Sequence, residues 1–445
     1  MAEGGGARRR RGGRADVAGV APSPGITEPT APRPQVVVVV ASWGSNWGER
    51  AAATRLVAGA LALRARVSIV SIEDRSDPRN CQPPKRYDSV FPVHSVAAPT
   101  SRGHGVGGLH PQDHLRPSDL IRASFRRQPG GVLPEVAARG LLEEASLPST
   151  DALLKTMALE PDVVVLAGPA TFWMGDDLPV GTARPRVVLL PLCGDDPVLS
   201  SSAFRVAVAP ADAIGAFSHL EFDRIAGLLS GDAVPALQRI EIALPVNHEA
   251  AAAGVAGLEE FGRYVLVISA FDDDRASDQR LTSDYLHHVL GSVSVAEVGG
   301  AGWVVTSGGG RRFDLPWAPT RINLWRLMAR AEVTVDVRPA GPIGRETIES
   351  LRLGTPVVVA ADSVSAEHAK ASNGGLWYRN RGEMVDCVRE LVDDEALRTR
   401  LGASGEQWAV QHHGDTESFV EATLHLVLGG PSVRSVGQLR GVKPA

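Results

Sequence analysis

Apolar residues in this chain gather in short continuous runs, separated by stretches with helical spacing. Val36–Val40 is an unbroken β-branched run, the pattern of a strand buried on both faces of a parallel sheet. The Gly-containing loop Ser42-Trp43-Gly44-Ser45-Asn46-Trp47-Gly48 follows it. Glu49 to Arg64 is rich in Ala and Leu and reads as a helix, and Val67–Ile72 reads as the next strand. This strand–loop–helix–strand unit opens a doubly wound α/β domain. Residues 74–135 are rich in Pro, Gly, His and Arg and show no period. Beyond them the pattern predicts a helix at Leu153–Leu159 and strands at Asp162–Leu166, Arg186–Leu190, Val206–Val208 and around Arg239–Ile242. Leu244-Pro245-Val246-Asn247 reads as a strand end, and the Ala/Gly-rich stretch 249–257 as a domain boundary.

A second alternating set then begins. Strands are predicted at Tyr264–Ser269, Gly302–Thr306, Val333–Val337 and Pro356–Ala360. Helices are predicted at Asp284–Leu290, Ile322–Ala331, Arg345–Leu353, Glu383–Val392 and Glu395–Trp408. A final helix, Thr416–Leu428, carries Val420, Leu424, Val427 and Leu428 on one stripe. Two βα halves of similar size imply two facing Rossmann-like domains, with ligands at the carboxyl ends of the strands. The expected division is a basic, disordered tail at 1–34, domains at 35–250 and 251–415, a return helix at 416–430 packing on the first domain, and a flexible tail at 431–445.

Composition narrows the class. The 445 residues are 44% hydrophobic and carry a formal net charge of −5. That suits a soluble globular protein and argues against nucleic-acid binding by phosphate neutralisation. No run approaches the ~18–20 apolar residues of a membrane span. The arginines Arg8 to Arg11 have no apolar segment behind them, so an export signal is not expected. Peripheral contact of this tail with an anionic membrane surface is the alternative. Cys81, Cys193 and Cys387 lie far apart and form no CxxC pair, which excludes a disulfide framework and a Cys-based zinc site and fits a reducing cytoplasm. Lysine occurs only at Lys85, Lys155, Lys370 and Lys443, the mark of high-GC codon usage.

The richest chemistry lies in 333–377. Strand Val333–Val337 enters the loop Arg338-Pro339-Ala340-Gly341-Pro342-Ile343-Gly344, and a short helix follows. A Gly/Pro-rich loop feeding a helix N-terminus is an anion site, because free backbone N–H groups and the dipole both favour phosphate there. Glu349 stands one turn into that helix. It either accepts hydrogen bonds from a ribose diol or merely solvates the helix. Elsewhere, Asp272-Asp273-Asp274 is a metal site or an acidic turn, His94, His104, His110 and His114 are proton carriers or loop residues, and Trp43 and Trp47 stack on a sugar or cap the sheet. HExxH, GxSxG and Walker A patterns are absent.

The stretch Glu349-Ser350-Leu351-Arg352-Leu353-Gly354-Thr355-Pro356-Val357-Val358 resembles the "EAMxxGTPVV" signature of retaining GT-B-fold glycosyltransferases, the family 4 type of bacterial mannosyltransferases and sucrose synthases. Gly374-Gly375-Leu376-Trp377-Tyr378 is similar to that family's glycine turn. Leu391–Gly402 is similar to its "LLDDPELRxxLG" helix. The resemblance covers residues 333–428. It implies a GT-B fold and a hexose moved from an NDP-sugar to an acceptor (a glycan, a lipid-linked sugar or a small molecule), with retention and with neither metal nor cofactor. Glu349 would hold the donor ribose, and Gly341, Gly344, Arg345 and Arg338 would face its phosphates or sugar. Gly44, Gly48 and Arg50 would form the phosphate/acceptor loop of the first domain. The sequence departs from the family in two places. Gly341 stands where the family has the first of two glutamates, with Glu346 as a substitute. The usual Arg/Lys diphosphate clamp is missing after Ser269, leaving Arg275, Arg280, Arg338 and Arg345 as replacements. These departures leave a catalytically degenerate binding subunit as the alternative; an epimerase on the same fold is a further one.

Overall fold

The Val36–Val40 run forms an interior strand of a seven-stranded sheet. The computed structural model describes residues 32–41, 43, 49–73, 91–97, 150–168, 171–172, 174–179, 184–194, 202–229, 235–253, 262–269, 276–299, 302–315, 320–338 and 341–429. Strand β1 (Gln35–Val40) pairs in parallel with β2 (Arg66–Glu73) on one side and β4 (Val163–Ala167) on the other. Its five valines are all buried, as a strand covered by helices on both faces requires. With β3 (Val93–Ala97), β5 (Arg186–Leu190), β6 (Ala213–Ala216) and β7 (Ala236–Arg239), the order is β3-β2-β1-β4-β5-β6-β7 and every ladder is parallel.

The second sheet is built around β8 (Tyr264–Ile268). It adds β9 (Ser294–Gly299), β10 (Gly302–Thr306), β11 (Arg312–Asp314), β12 (Val333–Asp336), β13 (Val357–Ala360) and β14 (Gly375–Tyr378), in the order β11-β10-β9-β8-β12-β13-β14. β9, β8, β12, β13 and β14 run parallel. Only Gly300 and Ala301 separate β9 from β10. That is too short for a crossover, so β10 and β11 fold back antiparallel at the edge. In each sheet the strand order reverses beside the first strand, β1 or β8. The loops after β1 and β12 therefore stand where doubly wound folds bind ligands.

Several elements differ from the sequence expectation. Val206–Val208 is not a strand but the end of the helix Ser202–Val208. Phe204, Ala207 and Val208 have i, i+3, i+4 spacing and enter one core cluster, which outweighs the β-branched pair. The strand expected at Arg239–Ile242 sits earlier, at β7. Asn247 does not close a strand; its side chain accepts from Ala250 N–H and caps the helix His248–Ala252. The aperiodic segment contains the edge strand β3. The glycine turn at 374–378 is largely β14, entered from Asn373 in the left-handed region (φ 46°). Strands β9 and β11 and the helices His219–Leu228 and Val364–Ser372 have no counterpart in the sequence expectation.

The helix Thr416–Leu424 continues as a π-helical turn, His425–Gly429. Phe419, Leu426 and Val427 lie in the same buried cluster as Val36, Val38 and Leu190, so the chain returns to the first sheet. Gly215 on β6 makes room for Leu426: a Cβ there would lie 2.6 Å from its Cδ2.

The helix Arg345–Arg352 is backed by the long helix Glu395–His413, and the two meet through glycine. A Cβ on Gly402 would lie 2.2 Å from the Gly354 carbonyl oxygen, a backbone atom that cannot swing away. Ala in place of Gly inside a helix ordinarily stabilises by about 1 kcal/mol. Here Gly402→Ala is expected to destabilise by about 1–3 kcal/mol through overpacking. A lower urea midpoint checks this, and an unchanged or higher midpoint contradicts it.

Candidate functional site

The site begins where β12 ends. Asp336 closes the strand, Arg338 follows, and Gly341–Gly344 lead into the helix Arg345–Arg352. The N-cap residue Gly344 is left-handed (φ 60°, ψ 41°) and has no side chain with which to cap. The first N–H groups of this helix therefore need a partner from elsewhere. Glu49, the first residue of the helix Glu49–Ala62 after the β1 loop, supplies it. Its Oε2 accepts from the N–H groups of Ile343 (3.1 Å) and Gly344 (3.2 Å), and its Oε1 from Arg345 N–H (3.2 Å). The loop and helix N-terminus expected after β12 are present, and their N–H groups hold an internal carboxylate.

Charged side chains continue outward from this contact. Arg338 places Nη2 2.7 Å from Asp336 and 3.4 Å from Glu49, and Nη1 2.6 Å from Glu346. Arg321, which opens the helix Arg321–Met328, reaches Glu346 at 2.7 Å and Glu349 at 2.8 Å. Arg345 Nε lies 2.9 Å from Glu349. Glu346 and Glu349 are three positions apart and so share a helix face, where one guanidinium meets both. Both are buried, at 0% and 1% exposure.

Burial opposes every charge here, and the neighbours decide the outcome. Burial raises Glu49 to about 7, although Arg338 pulls it down; Glu346 and Asp336 push the same way as burial. Glu346 is buried too, yet Arg338, Arg321 and Arg345 hold it well below the usual carboxylate range. Burial works against the charge on Arg338 and Arg321 as well. Asp336, Glu346 and Glu49 keep Arg338 well above its ordinary value, and Glu349 and Glu346 raise Arg321.

A further buried carboxylate, Glu221, lies at the turn after β5. Leu192 (φ 51°) and Gly194 (φ 60°) turn the chain after β5. Glu221 accepts there from the N–H groups of Cys193 (2.8 Å), Gly194 (3.2 Å) and Phe217 (2.9 Å). Burial raises it to about 7 despite these hydrogen bonds. Gly194 abuts the site loop: a Cβ on it would stand 2.6 Å from the Gly341 carbonyl oxygen. Across the same junction Glu367 accepts from the N–H groups of His219 (2.8 Å) and Leu220 (3.0 Å), at the start of the helix His219–Leu228. His368 Nε2 lies 2.9 Å from the Ile343 carbonyl oxygen, and burial lowers this histidine to about 4.

Six of the sequence-predicted residues are thus brought together: Gly341, Gly344, Arg338, Arg345, Glu346 and Glu349. Arg50 lies nearby and donates from Nε to the Leu192 carbonyl oxygen (2.8 Å). Gly44, Gly48, Arg275, Trp47, the aspartates 272–274 and the histidines at 104, 110 and 114 lie outside the described residues. His94 stands on edge strand β3, lowered by burial and by Lys155. Trp43 sits in the core against Phe91 (6.2 Å between ring centroids) and so caps the sheet. Sequence reasoning missed Glu49, Asp336, Arg321 and Glu221. Asp336 alone had a signal, an acid at the carboxyl end of a strand; Glu49 reads as an ordinary first-turn acid. Among the described residues, no group of three or more His, Cys, Asp or Glu is placed to hold a metal ion, and no helix is long and apolar enough to cross a membrane.

No known family model matches the chain, and no curated protein is significantly similar to it. Solved structures match it in fold along nearly their whole length. HepE of Anabaena, in complex with UDP and glucose, has a TM-score of 0.57 at 14% identity, covering 87% of this chain and 97% of that one. Sucrose-phosphate synthase from Thermosynechococcus elongatus gives the same four figures. A structure described as trehalose-6-phosphate from E. coli bound with UDP-2-fluoro glucose has a TM-score of 0.58 at 11% identity, covering 88% and 98%. Two parallel-rich α/β sheets with helices match these structures in fold. The fold of this chain is GT-B.

Two expectations follow from the electrostatics. A carboxyl at about 7 in the folded protein and 4.5 in the unfolded chain adds no cost below pH 4.5 and its whole cost above 7. Glu221 therefore makes stability fall as pH rises through that window, by about 3 kcal/mol at roughly 1.4 kcal/mol per unit. Glu49 acts in the same direction. His368, lowered to about 4, acts oppositely, so the comparison is with wild type. Glu221→Gln is expected to lose less stability than wild type between pH 5 and pH 7.5 in thermal melts; an equal loss contradicts it. Secondly, Arg321→Ala takes away the guanidinium that Glu346 and Glu349 share, leaving Glu346 to Arg338 and Glu349 to Arg345, and breaking these buried pairs is expected to cost about 3–5 kcal/mol in urea unfolding. A cost within 1 kcal/mol on the same scale of ~3–5 removes Arg321 from that role.

Proposed function

We propose that this chain is a glycosyltransferase that moves a hexose from a nucleoside-diphosphate sugar to an acceptor, with retention and without a metal ion. The observation that carries the reading is the cradle at residues 343–345. Three backbone N–H groups at a strand's carboxyl end hold an anion, one turn from Glu349. The solved structures of like fold that contain UDP or a UDP-sugar support a nucleotide-sugar donor. In this reading residues 251–415 bind the donor and 35–250 the acceptor, with Gly44, Gly48 and Arg50 lining the approach. Glu349 takes the ribose hydroxyls, and the cradle faces the diphosphate. Catalysis then consists of positioning the two substrates and stabilising charge on the departing diphosphate. A cytoplasmic location follows from the same reading.

A second reading is favoured by the pairing of Arg338 and Arg345 with carboxylates, which leaves less positive charge for a diphosphate. On that reading the chain is a GT-B-fold binding or scaffolding subunit. Thermal shift against UDP, GDP, dTDP and ADP separates the two. Ligand at a hundredfold excess over Kd is expected to add about 2.7 kcal/mol of stability. Glu349→Gln, measured against its own baseline, should lose that gain. No shift with any nucleotide overturns the donor site, and a shift without hydrolysis or transfer of the sugar favours the binding subunit.

A further inference from the structure

Glu49 is a charged side chain at 7% exposure, and it reaches its site from the other sheet, 294 residues away in sequence from Ile343. It takes space as well as hydrogen bonds. A Cβ on Gly341 would lie 2.3 Å from Glu49 Oε2, 2.5 Å from Cδ and 2.7 Å from Oε1. Residue 341 must therefore lack a side chain for the Glu49 carboxylate to enter. Gly341 and Glu49 thus form a matched pair, a hole in one half and a carboxylate from the other.

The carboxylate meets a cradle of donors. Ile343, Gly344 and Arg345 give their N–H groups from the site loop and the helix Arg345–Arg352, with Arg338 3.4 Å away. Asp336 on β12 and Glu346 on the helix face the same guanidinium and repel Glu49. Four carboxylates (Glu49, Asp336, Glu346, Glu349) meet three guanidinium groups (Arg338, Arg321, Arg345). Withdrawing Glu49 leaves three against three, beside a helix N-terminus with its donors vacated. An anion with two or more charges would then find the donors that Glu49 now holds. A side chain can withdraw from such a cradle by rotation, because nothing covalent ties it to the far half.

We propose that Glu49 is an internal stand-in for the donor's diphosphate. It fills the 343–345 cradle in the ligand-free protein, and an incoming diphosphate must displace it. This rests on the reading of the cradle as the donor site. The apparent affinity for a diphosphate is then the intrinsic affinity reduced by the fraction of molecules in which Glu49 is withdrawn.

The test uses the full chain as wild type, Glu49→Ala and Glu49→Gln, titrated with inorganic pyrophosphate and with UDP, GDP, dTDP and ADP. Binding is read by calorimetry and by thermal shift against each protein's own baseline. Removing the stand-in is expected to tighten pyrophosphate binding by about tenfold or more. Any nucleotide that binds should follow the same order. Glu49→Gln, which keeps the shape and removes the charge, should also gain affinity, and it carries the comparison if Glu49→Ala does not fold. Pyrophosphate binding that is unchanged or weaker in the variants overturns the proposal. The donor reading fails separately. Pyrophosphate gained by the variants with no nucleotide bound keeps the stand-in and removes the nucleotide donor. A nucleotide bound by wild type at least as tightly as by the variants keeps the donor site and removes the stand-in.

Discussion

The Glu49 carboxylate joins the two halves of this molecule at the carboxyl ends of β1 and β12. Glu49 starts a helix on the first sheet and ends the unmet hydrogen-bonding demand of a helix on the second. The arrangement exists because the second helix has no cap of its own: Gly344 offers a left-handed turn and no side chain. Burying a lone carboxylate would be prohibitive, so the site surrounds Glu49 with backbone dipoles and Arg338. The rest of the network, through Glu346, Arg321, Glu349 and Arg345, balances the charges that Arg338 brings with it.

The same device recurs in the opposite direction. Glu367, from the second half, accepts from the first N–H groups of the helix His219–Leu228 in the first half. Each half thus caps a helix of the other. Glu221 fills a third set of backbone donors next to the site loop, where Gly194 and Gly341 approach closely. The result is a floor of backbone N–H groups, where the two halves meet, already satisfied by acids. The likeness to GT-B structures concerns architecture, and the chemistry of this floor belongs to this chain.

Much of the fold was readable because strands buried on both faces must be continuously apolar. Val36–Val40, Tyr264–Ile268 and Val357–Ala360 announce themselves for that reason. Short elements were not readable. Val206–Val208 looked like a strand until the packing of Phe204 and Ala207 made it helical. β9 mixes small and polar residues and β14 is only four residues long, and their strand character comes from the neighbours they pair with. In the site, the Gly-Thr-Pro motif proved to be structural punctuation. Gly354 ends the helix at φ 73°, and Thr355 donates its hydroxyl to the Met328 carbonyl oxygen at 2.7 Å.

The sequence by itself determined the doubly wound pattern, the loop-and-helix anion cradle after β12, and the acids at positions 346 and 349. These are local properties, written in residue spacing and in the conformational needs of glycine. Only the tertiary structure decided what fills the cradle and what neutralises the acids. Glu49 comes from the other half of the chain and Arg321 from the helix before β12, and no local pattern distinguishes them from surface charges. Their roles arise when burial removes water and leaves each charged group to the partners that the fold brings within reach.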